Sequence, residues 1–321
     1  LLFIFVNFFL INYIMNSNSE KKYLTSEKYN TYLEIYGKIK KNSIPIIFIH
    51  GGPGANLEYL LPLKNFGINE PIIFYDQINS GKSTSIYKDN LLQINHFIEQ
   101  LHLIIDKLKI NKCHLIGHSW GSLIAHEYYL KNPNYIKTII FYSPSLDLNL
   151  WQKQANLYLK EIKKNCPECN IDSEYTKKHI GDANEITKFI KNPNQNLYNH
   201  IWGKSEYKVN GLLKNYKYIP NKMLQKIKIL FISGEYDTAS PNCLKTLSSQ
   251  IPNSQVKTIA KARHAVHLDK LKEFKSELVY FYKEYYQYNF FKKYRIYKNQ
   301  LFSNNKKNSE TLSNKLIFLF M

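Results

Sequence analysis

Residues 117–121 read Gly117-His118-Ser119-Trp120-Gly121, a complete G-x-S-x-G. The apolar run Cys113-His114-Leu115-Ile116 leads into it. The stretch Ser122-Leu123-Ile124-Ala125-His126-Glu127-Tyr128-Tyr129-Leu130 follows with helical character. A serine on a tight turn between a strand and a helix is held in a strained backbone conformation, with its hydroxyl clear at the head of the helix. Flanking glycines are needed because a Cβ at either position would strike the neighbouring strand or helix. The chemistry open to such a serine is attack on a carbonyl carbon, provided that a base takes its proton and an acid orients the base.

A second element serves the same chemistry. The buried-strand run Ile46-Ile47-Phe48-Ile49 ends in His50-Gly51-Gly52-Pro53-Gly54. A glycine-rich loop leaves backbone N–H groups unpaired and lets a carbonyl approach the main chain. Strand, glycine loop and elbow together resemble the α/β-hydrolase arrangement. There the oxyanion hole takes one N–H from this loop and one from the residue after the nucleophile. In this chain those residues are Gly52 and Trp120, with Gly51 and His50 beside them as candidate substrate contacts. His50 is also placed to brace the loop.

In that arrangement the acid and the base follow the serine in chain order. The run Ile229-Leu230-Phe231-Ile232 ends at Ser233-Gly234-Glu235-Tyr236-Asp237, so Asp237 lies in the loop where the acid belongs. Glu235, within the tight turn itself, and Asp147, after the strand Thr138-Ile139-Ile140-Phe141-Tyr142, are rivals. A further run, Gln255-Val256-Lys257-Thr258-Ile259-Ala260, leads to Arg263-His264-Ala265-Val266-His267. His264 is the nearer to the strand end and is the expected base. His267 would then open the last helix or line the pocket. The remaining histidines, His96, His102, His114, His118, His126, His179 and His200, read as surface or core residues.

These residues carry a closer resemblance. His50-Gly51-Gly52-Pro53-Gly54, then Asp76-Gln77-Ile78-Asn79-Ser80-Gly81-Lys82-Ser83, then the elbow with an aromatic residue after its serine, are similar to the prolyl iminopeptidases and related aminopeptidases. Gly234-Glu235-Tyr236-Asp237 with Ser240-Pro241, and His264-Ala265-Val266-His267-Leu268-Asp269, resemble that family's acid and histidine loops. The likeness covers roughly residues 22–285. Asn79 stands where a glycine is usual, a mild departure because Asn tolerates positive φ. The resemblance implies release of an N-terminal proline or other small residue from short peptides through an acyl-enzyme. It also implies a cap glutamate for the substrate's α-ammonium, matched here by Glu206 in the stretch Asn196 to Tyr207. Some relatives add a second glutamate directly after the triad aspartate; this chain has Thr238 there. An esterase or amidase acting on small uncharged acyl substrates is the alternative that Thr238 favours. A non-catalytic ligand-binding hydrolase fold is a third reading, and the intact Ser–Asp–His set opposes it.

Composition sets bounds. The 321 residues suffice for a full α/β core and a small cap. Lys and Arg number 44 against 25 Asp and Glu, a formal charge of +19. Such a charge admits an acidic or nucleic-acid partner. The basic residues are spread along the chain and are mostly lysine, beside heavy Asn, Ile and Tyr use, which reads as a solvated lysine surface without nucleic-acid binding. No cofactor is called for. Cys166-Pro167-Glu168-Cys169 has C-x-x-C spacing but no second ligand pair nearby, so incidental or redox-labile thiols are expected rather than a metal site. Four cysteines in all fit a reducing, cytoplasmic compartment. Leu1 to Ile14 is apolar but too short to span a bilayer, so a membrane anchor is not expected.

The elements that must position the site follow from periodicity. The expected class is α/β, a mostly parallel sheet flanked by helices, with a small helical cap inserted. Residues 1–14 form an apolar extension that reads as upstream sequence or a signal fragment rather than a membrane anchor. Residues 15–145 hold the first part of the core, with an amphipathic helix over Leu91 to Leu108. Residues 146–218 lack strand runs and form the cap, helical near Leu150–Ile162 and Glu185–Ile190. Residues 219–289 return to strand and helix and end in a long helix, Leu271–Tyr285. Residues 290–321 are a basic tail without an assigned role.

Overall fold

The computed structural model describes residues 19–304 apart from 183, 185, 186 and 189. The N-terminal extension and the last part of the tail lie outside the described residues, as do residues 185, 186 and 189 of the helix expected at Glu185–Ile190. Two compact units divide the chain, Leu1–Glu277 and Leu278–Met321. The first holds the sheet and every candidate site residue.

Its strands are β1 (Ser19–Thr25), β2 (Tyr29–Tyr36), β3 (Ile46–Ile49), β4 (Ile72–Tyr75), β5 (Thr84–Ser85), β6 (Cys113–His118), β7 (Ile136–Tyr142), β8 (Lys228–Gly234) and β9 (Gln255–Ile259). The order across the sheet is β1-β2-β4-β3-β6-β7-β8-β9, with β5 paired to β2. The pairs β1–β2 and β2–β4 are antiparallel, and every pair from β4 to β9 is parallel. Strands β3, β4 and β6 are buried along their whole length. The Ile- and Phe-rich runs of β3 and β4, without polar alternation, have this fate in a sheet covered on both faces.

Register decides where the chemistry collects. Ile49 pairs with Gly117 and Gly117 with Phe141. Tyr142 pairs with Ile232, and Gly234 with Ile259. The carboxyl ends of β3, β6, β7, β8 and β9 are therefore level, and the loops that leave them emerge side by side. An open parallel sheet binds ligands at this edge.

The helices of the first unit are α1 (Ile94–Lys107), α2 (Trp120–Lys131), α3 (Leu148–Asn165), α4 (Ile171–Tyr175), α5 (Gln195–Ile201), α6 (Pro241–Ser249) and α7 (Val266–Asp269), and α8 (Leu271–Asn304) starts within it. The expected helices at Leu91–Leu108 and Leu150–Ile162 are α1 and α3. Between β7 and β8 the described residues hold helices and a single isolated bridge, Ser205 to Lys208, and no strand. Asp147 and Asn194 cap α3 and α5 by accepting backbone N–H groups of the first turn, which fixes where these helices begin. In the second unit α8 runs on to Asn304, beyond the expected end at Tyr285. Residues 271–304 contain neither Gly nor Pro, so nothing in the covalent chain stops the helix where the hydrolase pattern ends.

Cys166 and Cys169 form a disulfide across the turn after α3, with a Cα–Cα separation of 5.4 Å. That departs from the reduced thiols expected of a reducing compartment. Cys113 and Cys243 are free and buried. Among the described residues no helix is long and apolar enough to cross a membrane.

Candidate active site

Ser119 is the residue between β6 and α2. Its φ of 52° and ψ of −119° lie in the sparsely populated region that a strained elbow requires. A Cβ on Gly117 would stand 2.4 Å from the Gly121 carbonyl oxygen, and one on Gly121 would stand 2.2 Å from that of Ile49. Both glycines are thus demanded by close approach of main chain to main chain. The Ser119 N–H donates to the Tyr142 carbonyl at 2.9 Å and pins the elbow to β7.

Asp237 and His264 arrive from the ends of β8 and β9, two and three strands beyond β6 in the sheet. The imidazole Nδ1–H donates to Asp237 Oδ1 at 2.8 Å, which leaves Nε2 free of the acid. Asp237 is fully buried, and its Oδ1 also accepts the Ala239 N–H at 2.9 Å. Burial by itself would depress the His264 pKa, but the charge and hydrogen bond of Asp237 outweigh it and raise the pKa above its ordinary value. The Ser119 hydroxyl makes its contact with Ser145 Oγ, at 3.3 Å, and has no hydrogen bond to His264. Catalytic hydrogen bonds in ligand-free enzymes often tighten only with substrate.

The rivals are accounted for otherwise. Glu235 is exposed and accepts the Lys261 N–H at 2.9 Å. Asp147 accepts the N–H groups of Asn149 and Leu150 at the head of α3. His267 neither starts the last helix nor lines the cleft: it is the second residue of the short α7 and is completely buried. Its Nε2–H donates to the Tyr59 carbonyl at 2.7 Å, and Nδ1 accepts from the Tyr142 hydroxyl. Burial lowers its pKa to about 4, so it stays neutral and structural.

Gly52, at φ +41°, and Trp120, the first residue of α2, both line the cleft with Ser119. Among the described residues neither backbone N–H has a hydrogen-bond acceptor. The Gly51 N–H, by contrast, is spent on the Tyr59 hydroxyl at 2.6 Å, so Gly51 offers the cleft its surface and not a donor. His50 does not reach the cleft, and its candidacy as a substrate contact gives way to the bracing role. It is fully buried, its Nε2 accepts the Gln77 N–H at 2.9 Å, and burial lowers its pKa to about 4. Gln77 donates from Nε2 to the His50 carbonyl at 2.6 Å and accepts from Trp120 Nε1 at 2.8 Å, tying the glycine loop to the elbow. Asp76 holds the same turn. Its carboxylate accepts the N–H groups of Leu57 and Lys82, both at 2.8 Å. Asn79 has a φ of 52°, as its place in the glycine-like position of the turn anticipates.

The cleft is an open hollow of about 700 Å³, its solvent-filled mouth included. Its cap-side wall is apolar and aromatic, with Trp151, Ile180, Tyr198 and Trp202 facing Ser119 and His264. Trp151 packs edge-on against the His264 ring at 5.3 Å and against Trp202 at 5.4 Å. Glu206 enters this wall from the turn after Trp202, next to Tyr198. Burial raises the Glu206 pKa above the usual carboxylate value, while the Tyr198 phenol and the charge of His264 pull it back. Thr238 does not face the cleft. It is fully buried, and its Oγ1 lies 2.6 Å from the Tyr175 hydroxyl. A glutamate at position 238 would therefore meet Tyr175 rather than a substrate amine.

Several residues of the site were not marked by their sequence. His118, read as surface or core, touches the triad loop: its Nε2–H donates to the His264 carbonyl at 3.2 Å, and Nδ1 accepts from the Tyr59 hydroxyl at 2.7 Å. Ser145 and Trp151 carried no local signal at all. Trp202 was legible only within the stretch that resembled the family.

The α/β hydrolase fold family model matches residues 44–271. Proline iminopeptidase of Heyndrickxia coagulans is 30% identical over 251 residues, covering 72% of this chain and 87% of that protein. Proline iminopeptidase of Lactiplantibacillus plantarum is 25% identical over 265 residues, covering 75% and 92%. In three dimensions the Mycobacterium smegmatis proline iminopeptidase aligns with a TM-score of 0.72 at 19% identity, over 83% of this chain and 98% of that one. The naproxen esterase of Bacillus subtilis aligns with a TM-score of 0.60 at 17% identity, over 86% and 96%. With its strained elbow serine, its buried Asp–His pair and these relatives, the chain belongs to the α/β-hydrolase fold family and, within it, to the proline iminopeptidases.

Proposed function

We propose that this hydrolase releases an N-terminal proline, or another small residue, from short peptides by acyl transfer. Ser119 attacks the scissile carbonyl carbon, and His264 Nε2 takes the hydroxyl proton. Asp237 holds the imidazole with its proton on Nδ1 and stabilises the imidazolium that forms. The Gly52 and Trp120 N–H groups, free of other acceptors, receive the developing oxyanion. His264 then gives the proton to the leaving amine, and water, activated by the same imidazole, cleaves the acyl-enzyme. Asp237 acts throughout from a site closed to solvent.

One observation carries the aminopeptidase reading. The Glu206 carboxyl opens into the same cleft as Ser119 and His264, within a wall that is otherwise apolar. A carboxylate in such a wall needs a cationic partner to offset its desolvation, and the α-ammonium of an N-terminal residue supplies one. The amine is then recognised by a single carboxylate, because Thr238 is turned to Tyr175. That arrangement also keeps a second reading in view, hydrolysis of small uncharged esters or amides. One substrate separates them: a proline anilide with and without an N-acetyl group. The aminopeptidase reading expects a large preference for the free amine, and equal turnover of both forms would replace it with the esterase or amidase reading.

A further inference from the structure

Outside the catalytic cleft, a shallow, solvent-open concavity lies behind the histidine loop. Lys177 and Lys178 line it from the cap, and Lys261, Arg263 and Lys270 line it from the segment around His264. Of its two carboxylates, Asp269 is committed to Arg263, whose Nε and Nη2 both donate to it. Among the lining residues that leaves Glu161 beside four lysines, while the charge of Asp182 also acts on Arg263. Lys178 has a loose partner in Glu174, at 3.9 Å, and the Lys261 main-chain N–H donates to Glu235, whereas the ammonium groups of Lys177, Lys261 and Lys270 have no ion-pair partner among the described residues. Here lysines from two separate chain segments converge on one hollow.

The same two segments are stitched together by main-chain hydrogen bonds. The His264 N–H donates to the His179 carbonyl at 3.0 Å, and the Ala265 N–H to that of Ile180 at 3.1 Å. Arg263 Nη1 donates to the Lys177 carbonyl at 3.0 Å. Like charges facing each other across this seam repel and act to part it. A multiply charged anion seated between them would reverse the sign of that force.

We propose that this hollow is a binding site for a phosphate-bearing ligand with at least two anionic groups, bridging Lys177 and Lys178 of the cap to Lys261 and Lys270 of the histidine loop and clamping the two segments together. Neither the peptide substrate nor the triad chemistry calls for it.

The test uses the full chain, inorganic pyrophosphate as probe, and sodium chloride at matched ionic strength as control, because unspecific screening acts equally in both. Pyrophosphate should raise Tm saturably, by about 5 °C near a hundredfold excess over Kd. It should also slow amide hydrogen exchange at residues 177–180 and 263–265. The double variant Lys177→Glu, Lys261→Glu should fold, hydrolyse its substrate at the parental rate and lose both responses. Sedimentation with phosphoinositide vesicles, competed by pyrophosphate, would name a lipid headgroup as the source of the phosphate; no sedimentation alongside an intact Tm response would name a soluble ligand. A Tm rise no larger than that in chloride, or one undiminished in the double variant, overturns the proposal.

Discussion

The Tyr59 hydroxyl donates its proton to His118 Nδ1 at 2.7 Å while accepting the Gly51 N–H at 2.6 Å. His118 passes the chain on by donating from Nε2 to the His264 carbonyl. One buried relay thereby joins the glycine loop to the loop that carries the base. His118 accepts at Nδ1 and donates at Nε2, which holds it neutral; burial first, then the charge of His264, lowers its pKa well below the ordinary value. Tyr59→Phe leaves the Gly51 N–H buried without an acceptor. The expected loss is about 1–3 kcal/mol of stability, with kcat/KM down about tenfold as the oxyanion loop loosens. Thermal unfolding and steady-state kinetics read the two effects; an unchanged Tm would show that the relay does not brace the loop.

Ser119→Ala should abolish labelling by a fluorophosphonate probe and reduce turnover by about 10³-fold or more, with little change in Tm. Labelling that persists at another serine, Ser145 included, would move the nucleophile.

His264 and His267 should respond in opposite ways. His264→Ala removes the base and should cost turnover as heavily as Ser119→Ala, and the double variant should add little because the triad acts as a unit. His267→Ala removes two buried hydrogen bonds and leaves a cavity. The expectation is a loss of about 2–4 kcal/mol in stability, with activity of the folded fraction within about tenfold of the parent. Exchanged effects would reassign the base.

The pH profile follows from the sign of two shifts. His264 must be neutral to act as base, and its pKa is raised above the ordinary 6.5. Activity is therefore lost as pH falls through that raised value, and the acid limb of kcat/KM should lie above 6.5. The Glu206 pKa is also raised by burial, so protonation weakens amine binding at a higher pH than for an exposed carboxylate. Asp237→Asn removes the group that raises the His264 pKa and should move the limb of the residual activity downward. A limb below 6.5 in the parent enzyme would contradict the assignment.

Glu206→Gln should lower kcat/KM for free-amine substrates about ten- to 150-fold, the worth of a charge-assisted hydrogen bond of about 1.5–3 kcal/mol. Hydrolysis of an acetate ester should be almost unaffected. Thr238→Glu is not expected to tighten amine binding, because its neighbour is Tyr175; it should instead lower Tm. Comparing KM for a proline anilide across the two variants measures both effects.

How much of this was legible depended on whether the reason was local. The elbow at 117–121 and the glycine loop at 50–54 are dictated by backbone conformations that few residues tolerate, so they show in a single sequence. Asp237 and His264 were readable because each follows a strand run, and parallel register delivers every such loop to the same edge. Glu206 was readable only by resemblance, since an isolated carboxylate in a cap has no periodicity.

What only the tertiary structure decided are the pairings between segments distant in the chain. Sequence left Glu235 and Asp147 as rivals to Asp237; burial and hydrogen bonding assign them to a turn and a helix cap. Sequence read His118 as filler and offered His50 to the substrate; folding set His118 between Tyr59 and His264 and sealed His50 beneath Gln77. It also turned Thr238 to Tyr175 and brought Lys177 to face Lys261. Local sequence determines which backbone shapes and which side-chain chemistries are present, because these depend on a residue and its near neighbours. Which buried donor meets which acceptor depends on strand register and on how the cap closes over the sheet, and those are settled by the packing of the whole chain.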